Sequence, residues 1–183
     1  MTTQTPAHGC RIHPLPVAMP AGSEGAGPQA RPVNILGTLA HTPNVMQHVT
    51  ACGGALFQDT LISPRDREIV ILRVGWRCQS IYEYGQHTLF GRAAGLTDDE
   101  IGRLAGGPGS WPRADAALVT MADELCEGND VTEPTWAELR ERFSARQLVE
   151  LLLIAGYYWM MSGLLNAAGV ELESWTPSWP DRQ

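Results

Sequence analysis

The chain of 183 residues is long enough for one domain with its own core, and 44% of its residues are apolar, which is typical of a globular protein. Its net charge of −7 disfavours nucleic acid as a partner, and no basic stripe offsets that charge. All 13 basic residues are arginines, which excludes Schiff-base chemistry and a lysine general base.

The cysteines predict a reducing compartment. Cys10, Cys52, Cys78 and Cys126 are scattered without a CxxC motif, and a chain of this length does not need a disulfide framework. The N-terminus lacks the charged segment and apolar run of a signal peptide. We therefore expect free thiols and a cytoplasmic protein.

Composition divides the chain into three parts. Residues 1–31 are rich in proline and glycine and are predicted to form an extended arm. Residues 32–173 carry helical patterns, beginning with short helices broken at Pro43, and residues 174–183 form an extended tail with two tryptophans. The pair Gly53-Gly54 predicts a turn or a close backbone approach.

Helix starts are well marked downstream. Ser63, followed by Pro64 and by Asp66 in the first turn, is a predicted N-cap. Gly95 is predicted to end a helix. The capping-box pattern begins at three further positions, Thr97, Thr135 and Ser144.

One segment is ambiguous between helix and strand. The run from Glu68 to Val74 is β-branched and could be a buried strand, but the Ser-Pro cap before it favours a helix. No alternating pattern bounded by hairpin dipeptides occurs elsewhere in the sequence. We therefore predict an all-α protein of about seven helices, counted from caps and breakers.

The stretch from Leu151 to Ala168 is almost entirely apolar and approaches the length of a membrane span. It contains Ser162 and Asn166 and is flanked by Glu150 and Glu171, and polar groups are rare in lipid. We interpret it as a central helix that is buried on most sides, by its own fold or by a subunit partner, and expect no membrane association.

A candidate acid–base site lies in the segment SIYEYGQH, residues 80–87. At 3.6 residues per turn, Ser80, Glu83 and His87 share a face, and the side chains of Glu83 and His87 can meet. A carboxylate orients an imidazole and raises its proton affinity, which suits general acid–base catalysis. Alternatively, Glu83 and His87 are an ordinary pair on an exposed helix surface. The apolar residues around them favour a pair that is at least partly buried.

These residues resemble a known family. The run PRDREIVILRVGW at residues 64–76, followed by YEYGQH at residues 82–87, is similar to the carboxymuconolactone decarboxylase family. There, a Glu opens one helix, and a Tyr-Glu-Trp-like tripeptide followed by His lies on the next. Further similar segments bring the coverage to about residues 32–172; they are residues 95–101, 131–143 and 156–166.

The resemblance implies the all-α, carboxymuconolactone decarboxylase / alkylhydroperoxidase D-like helical fold and a homo-oligomer, either a trimer or a hexamer. It also implies decarboxylation of a small unsaturated carboxylated lactone without a cofactor or metal. His87 as an imidazolium would supply a proton, and Glu68 or Glu83 would hold its ring. The sequence leaves open which glutamate is the partner.

Further side chains are candidates for substrate binding. Arg73 or Arg77 could bind a substrate carboxylate in a bidentate contact, although solvent exposure or a helix-dipole contact is the alternative for each. The other candidates have aromatic or polar groups that could line a pocket or serve packing instead; they are Ser80, Tyr82, Tyr84, Tyr157 and Asn166.

The related alkylhydroperoxidase D proteins carry a Glu, a CxxC motif and a His. Here Glu68 and His87 match the Glu and the His, but Ser80 and Glu83 stand at the two cysteine positions. Cys78 lies two residues ahead of the first thiol position and has no partner in the sequence pattern. Because peroxidase chemistry uses an attacking and a resolving thiol, the residues disfavour this branch.

Three alternatives remain beside decarboxylation. The same acid–base pocket could catalyse isomerisation, cyclisation or hydration of a pathway intermediate, since fold and site do not fix the reaction. Less favoured are a peroxidase that uses Cys78 alone and a non-enzymatic oligomer that binds a ligand. We expect no metal, since Glu68, Glu83 and His87 offer a single nitrogen ligand.

Overall fold

A computed structural model describes residues 8–17, 33–106 and 111–177. Within these ranges the chain forms eight α-helices and no strand, so the prediction of an all-α fold is confirmed, with one helix more than expected. The helices are α1 Asn34–Leu39, α2 Pro43–Gln58, α3 Pro64–Arg77, α4 Ile81–Ala93, α5 Asp98–Leu104, α6 Arg113–Gly128, α7 Glu133–Arg142 and α8 Ala145–Ala168.

Most of the predicted helix boundaries are confirmed. Ser63 caps α3, and complete capping boxes open α5 at Thr97 and α8 at Ser144. Gly95, with φ +91°, follows the end of α4 in the left-handed region that favours glycine. The helix at Glu68 is also confirmed, because the Ser63 cap and the tertiary contacts of α3 outweigh its β-branched residues.

One local prediction was wrong, and another holds in only one of its two forms. Helix α7 begins at Glu133 after the N-cap residue Thr132, so Thr135 lies inside the helix and donates to Glu124 instead of forming a capping box. The Gly53-Gly54 pair lies within α2 and makes no turn. Gly53 does serve a close approach, since a Cβ there would lie 2.5 Å from the Tyr157 hydroxyl oxygen.

Helix α3 is the centre of the fold. It packs against α4, α5, α6 and α8, and ten consecutive residues of it are buried. Such continuous burial explains why its sequence lacks a clear amphipathic period. Charged side chains that face this core therefore lie where water cannot screen them.

Helix α8 is long and apolar enough to cross a membrane by length and composition. It also packs against α2, α3, α4, α6 and α7, so one stripe of it belongs to the core. Its opposite side carries exposed apolar residues, among them Val149, Leu153, Trp159 and Met160. These contacts agree with the interpretation of α8 as a central helix.

Both chain ends pack near α1 and the end of α8. In the described part of the N-terminal arm, the amides of Arg11 and Ile12 donate to the Ala168 carbonyl. In the C-terminal segment, the Glu173 carboxylate accepts a hydrogen bond from the Asn34 amide at 2.6 Å. Residues 1–7, 18–31 and 178–183 of the predicted arm and tail lie outside the described residues.

Candidate active site

Close packing of α3 and α4 brings the acid–base residues together. Gln79, with φ +53°, reverses the chain between the two helices. Gly75 permits the close approach, since a Cβ there would lie 3.3 Å from the Tyr84 amide nitrogen. The hydroxyl of Ser80 caps α4 by accepting from the Glu83 amide. As a result, the middle of α3 lies beside the first turns of α4.

His87 lies between two carboxylates. Its Nδ1 is 2.7 Å from Oε2 of Glu68 on α3, and its Nε2 is 3.5 Å from Oε2 of Glu83 on its own helix. Glu68 is fully buried, and His87 and Glu83 are nearly so. The structure thus answers which glutamate accompanies His87: both do, and Glu68 makes the shorter contact.

Burial and charge shift the proton affinities of this group in opposite ways. Burial alone would lower the pKa of His87, but the charge and hydrogen bond of Glu68, together with the charge of Glu83, raise it. Burial raises the pKa of Glu83 to about 7, which the nearby His87 partly opposes and Glu68 increases. Glu83 can therefore hold or release a proton near neutral pH.

Arg67 anchors the buried end of the group. Its Nε donates to Oε1 of Glu68 at 2.9 Å, and its Nη1 donates to the Phe57 carbonyl at 2.6 Å. The guanidinium also lies 3.7 Å above the Phe57 ring. Arg67 thus pairs with one oxygen of the buried Glu68 carboxylate, while the other oxygen contacts His87 Nδ1 and orients the ring.

Aromatic rings enclose the imidazole on its remaining sides. The Tyr158 ring meets the His87 ring edge-on at 4.7 Å between centroids, and Phe90 and Phe57 lie at 5.3 and 6.5 Å. Within the described residues, no hydrogen bond is made by the Tyr158 hydroxyl. Burial, together with the charges of Glu83 and Glu68, raises its pKa, so the hydroxyl remains a neutral donor.

The helices that carry these residues match a known protein family. Residues 43–123, which include α2, α3, α4 and α5, match the model of the carboxymuconolactone decarboxylase family. Over these residues, which make up less than half of the chain, the protein is similar to the carboxymuconolactone decarboxylase family. Comparison with curated proteins gives no match.

Solved structures share the fold over almost the whole chain. An uncharacterised peroxidase-related protein with an alkylhydroperoxidase core, from Ralstonia eutropha JMP134, has a TM-score of 0.77 and 20% identity, covering 92% of this chain and 95% of its own. A peroxidase-related protein from Silicibacter sp. TM1040 has a TM-score of 0.76 and 16% identity, covering 95% and 96%. A variant of the debrominase Bmp8 in complex with 2,3,4-tribromopyrrole has a TM-score of 0.68 and 11% identity, covering 94% and 95%.

These likenesses show the fold. Among the proteins that share this fold with the chain, two are described as peroxidase-related and one is a debrominase. The shared fold does not determine the reaction, which depends on the residues of this chain.

The two arginines predicted to bind a substrate carboxylate are engaged within the protein. Arg73 is buried, pairs with both carboxylate oxygens of Asp123 and donates to the carbonyls of Leu104 and Gly106. Arg77 is about one-third exposed and pairs with Asp123 and with Glu127. Both arginines thus join α3 to α6, away from the acid–base group.

The predicted tyrosines lie in three different places. The Tyr82 hydroxyl donates to Glu173 at 2.7 Å and accepts from the Ile35 amide, so it faces α1 and the C-terminal segment. The Tyr84 hydroxyl donates to the Ile101 carbonyl in the core. The Tyr157 hydroxyl donates to the Val49 carbonyl on α2, and its ring packs against that of Tyr158.

The two polar candidates act on the ends of α3 and α4. Ser80 is the N-cap of α4 and is fully buried, so it positions Glu83 through the backbone. Asn166 donates from Nδ2 to the Cys78 carbonyl at 2.8 Å. These contacts give both side chains a structural partner next to the site and not inside it.

Sequence reasoning missed the residues that enclose the group. Tyr158, and not its neighbour Tyr157, faces His87; its place on the buried stripe of α8, four residues after Ile154, is the signal that could have selected it. Arg67 and Phe57 gave no such signal, since their contacts join α2 to α3. In the described ranges, no group of three or more histidine, cysteine or acidic side chains has an arrangement that could hold a metal ion.

Proposed function

We propose that this chain is an acid–base enzyme that needs no cofactor and decarboxylates a small unsaturated carboxylated lactone or acid. The observation that carries the proposal is the buried His87 between Glu68 and Glu83, with the pKa of Glu83 raised to about 7. An enzyme that donates a proton to carbon needs an acid whose pKa is close to the working pH.

The three residues have different parts in this proposal. Glu83 gives its proton to the substrate, and His87, whose own pKa is raised, passes a proton on to it. Glu68, held by Arg67, keeps the imidazole ring oriented and is a positioning residue. This assignment places Glu83 between His87 and the substrate.

The reaction requires that an electron pair be accommodated and then protonated. When the bond to the carboxylate breaks, CO₂ leaves, and the electron pair moves through the double bond onto the lactone carbonyl oxygen. The neutral Tyr158 hydroxyl can donate a hydrogen bond to that oxygen. Glu83 then protonates the far carbon of the dienolate, so one proton is taken up for each CO₂ released.

Arg67 is the cation best placed to attract the substrate carboxylate. Its Nε and Nη1 are bound to Glu68 and Phe57, whereas its Nη2 makes no hydrogen bond within the described residues. The apolar rings of Phe57, Phe90 and Tyr158 favour loss of a carboxylate that is poorly solvated. Arg73 and Arg77 have no part in this proposal.

Turnover of γ-carboxymuconolactone tests the proposal directly. Loss of ultraviolet absorbance and release of CO₂ would be followed for the purified protein with EDTA present, beside Glu83→Gln as a matched variant. We expect turnover by the wild type that EDTA does not reduce and a large loss in the variant. A folded protein without turnover would contradict decarboxylation of this lactone and favour isomerisation, cyclisation or hydration in the same pocket.

We also propose a homo-oligomer, trimer or hexamer, that acts on its small-molecule substrate in the cytoplasm. The exposed apolar side chains of α8 support the oligomer, since Val149, Leu153 and Met160 recur on one side of the helix. Light scattering after gel filtration measures the mass. Replacing Leu153 by glutamate should lower that mass, and an unchanged mass would place the interface elsewhere.

A further inference from the structure

Helix α2 covers one side of the acid–base group and is itself held by few contacts. Of its 16 residues only Leu56 is buried, and the helix packs against α1 and α8. Its last turn reaches the group, because the Phe57 ring lies 6.5 Å from that of His87 and the Phe57 carbonyl accepts from Arg67. An element with so little buried surface opens locally at lower cost than the core helices do.

Tyr157 on α8 makes the contact that holds the middle of α2. Its hydroxyl donates to the Val49 carbonyl at 3.0 Å. The edge of its ring lies over Gly53, where a Cβ would be 2.5 Å from the hydroxyl oxygen, whereas a Cβ on Gly54 would meet nothing within 4 Å. The Tyr157 ring therefore occupies the space that the missing side chain of Gly53 leaves between the two helices.

Burial decreases from the imidazole toward this gap between α2 and α8. Tyr158, which contacts the His87 ring, is buried. Tyr157 packs against the Tyr158 ring at 5.2 Å between centroids and is half-buried, and the adjacent Gly156 is exposed. Tyr157 thus stands between the buried group and solvent.

The charges that act on the Tyr157 hydroxyl agree with this position. Burial, together with the charges of Cys52 and Glu83, raises the pKa of Tyr157 to about 12. Both groups have to lie near the hydroxyl to act on it in this way. Cys52 is exposed on α2 and Glu83 is buried, so the hydroxyl lies between an outer thiol and the inner carboxyl.

Tyr157 is also the ring beside this gap that can move most easily. Within the described residues its hydroxyl makes one hydrogen bond, so a change of rotamer breaks that bond alone. Phe57 is half-buried as well, but its ring stacks under the Arg67 guanidinium and its carbonyl accepts from the same residue. Movement of Phe57 would disturb the arginine that binds Glu68.

From these contacts we infer that Tyr157 is a specificity-determining residue: its ring closes the entrance to the acid–base group, and molecules reach Glu83 and His87 when it swings away from Gly53. The entrance is the gap between α2 and α8 at Gly53 and Tyr157. Displacement of one phenol ring opens a gap about one aromatic ring wide, which admits a flat, small molecule such as an unsaturated lactone and excludes bulky ones. Only the choice of substrate rests on the proposed function.

Reaction of His87 with diethyl pyrocarbonate tests the entrance without turnover. The full-length protein is treated at pH 8, and the ethoxycarbonyl group is located by fragmentation of tryptic peptide 78–92, in which His87 is the only histidine. The exposed His48 on α2 is the internal standard. We expect a slow reaction in the wild type and one about 10-fold faster in Tyr157→Ala, because the reagent no longer waits for a local opening.

Two glycine variants form a matched pair for the same assay. Gly53→Ala places a methyl group where the Tyr157 hydroxyl lies, so it should break the bond to α2 and speed the modification, whereas Gly54→Ala should behave as the wild type. Tyr84→Phe loses a hydrogen bond in the core and controls for a general loss of stability. Rates in Tyr157→Ala and Gly53→Ala equal to the wild type, or a similar increase in either control, would overturn the inference.

A label on Cys52 should have the opposite effect. Cys52 is exposed and directly precedes Gly53, so reaction with N-phenylmaleimide adds a ring at the outer end of the entrance. Modification of His87 by diethyl pyrocarbonate should then become slower in the wild type. Cys52→Ser, treated with the maleimide in the same way, should keep the unlabelled rate. Equal slowing in both proteins, or none in the wild type, would contradict an entrance at this place.

Turnover separates a failure of this inference from a failure of the proposed function. For a lactone with an added benzyl group, Tyr157→Ala should raise kcat/KM relative to that for γ-carboxymuconolactone by about 10-fold, as expected when a steric barrier to the larger group is removed. An unchanged ratio would contradict a role in specificity. If no variant turns over either lactone but the His87 rates change as expected, the entrance stands and the proposed reaction fails. Normal turnover with unchanged His87 rates would overturn the entrance alone.

Discussion

The Nδ1 atom of His87 lies 2.7 Å from Oε2 of Glu68, whereas its Nε2 atom lies 3.5 Å from Oε2 of Glu83. The closer partner comes from the neighbouring helix and is itself neutralised by Arg67. The more distant partner has a pKa raised to about 7 by burial. We therefore expect the two glutamates, which look alike in the sequence, to respond differently to the same substitution.

Glu83→Gln should remove turnover with little loss of stability. The amide is similar in shape but cannot donate an acidic proton, so we expect kcat to fall by about 10²- to 10⁴-fold, the usual contribution of a general acid. Tm and oligomer mass should remain close to those of the wild type. A variant that keeps near-normal kcat would show that Glu83 is not the acid.

Glu68→Gln should lower stability as well as turnover. Glu68 is fully buried, and an amide in its place would leave the buried Arg67 without a counter-charge. Loss of one partner of a buried pair costs about 3–5 kcal/mol. Urea denaturation of this variant beside Glu83→Gln measures the difference. Equal free energies of unfolding for the two variants would contradict a structural role for Glu68.

The pH dependence of stability should reveal the raised pKa of Glu83. Between its ordinary value of 4.5 and about 7, the unfolded carboxyl has released its proton while the folded one retains it, so rising pH favours unfolding. The contribution of Glu83 to the free energy of unfolding is therefore complete below about pH 4.5 and is lost as the pH rises through about 7. His87, whose pKa is also raised, adds a loss in the same direction above 6.5.

Glu83→Gln removes this titration. Its free energy of unfolding, measured relative to the wild type, should therefore increase from pH 5 to pH 8, by up to about 3 kcal/mol for a shift of this size. Denaturation curves at several pH values for both proteins give that difference. A difference that is constant with pH would mean that Glu83 titrates normally in the folded protein.

The rate of turnover should depend on the same proton. If Glu83 donates a proton, kcat/KM should fall as the pH rises above about 7, because the free enzyme then loses the acid form. A profile measured with one substrate from pH 5 to pH 9 tests this expectation. A rate that rises through pH 7 would indicate that the ionised form acts, as a general base.

Local signals in the sequence predicted much of the fold. The caps at Ser63, Thr97 and Ser144 involve residues three positions apart, and the contact between Glu83 and His87 requires one helical turn. Such short-range relationships depend little on the rest of the chain. The prediction at Thr135 failed although its sequence fits the capping-box motif. The helix begins earlier, at Glu133, because Pro134 is favoured in the first turn of a helix.

Contacts between helices could not be read in the same way. Arg73 looked available for a substrate because its partners, Asp123 and two carbonyls at the end of α5 and just after it, lie far along the chain. Tyr157 and Tyr158 are adjacent in the sequence, and only the packing of α8 decides which ring faces His87.

Replacement of Arg73 by methionine tests whether that residue holds the fold or the substrate. The change leaves Asp123 without its bidentate partner and frees two carbonyls, so we expect a loss of about 3–5 kcal/mol in stability. The double variant with Asp123→Asn should recover part of that loss. KM, measured at a temperature where the variants are folded, should stay near the wild-type value; a large increase in KM would restore the predicted role in substrate binding.

Phenylalanine at positions 82 and 158 should separate a structural hydroxyl from a functional one. Tyr82→Phe removes hydrogen bonds to Glu173 and Ile35, which costs about 1 kcal/mol of stability and leaves turnover unchanged. Tyr158→Phe removes no hydrogen bond within the described residues, so stability should hold while kcat falls by about 10²-fold, as for loss of one donor to a developing oxyanion. Steady-state kinetics and thermal unfolding of both variants distinguish these outcomes. A fall in kcat for Tyr82→Phe but not for Tyr158→Phe would indicate that the substrate binds at the face of α4 that carries Tyr82.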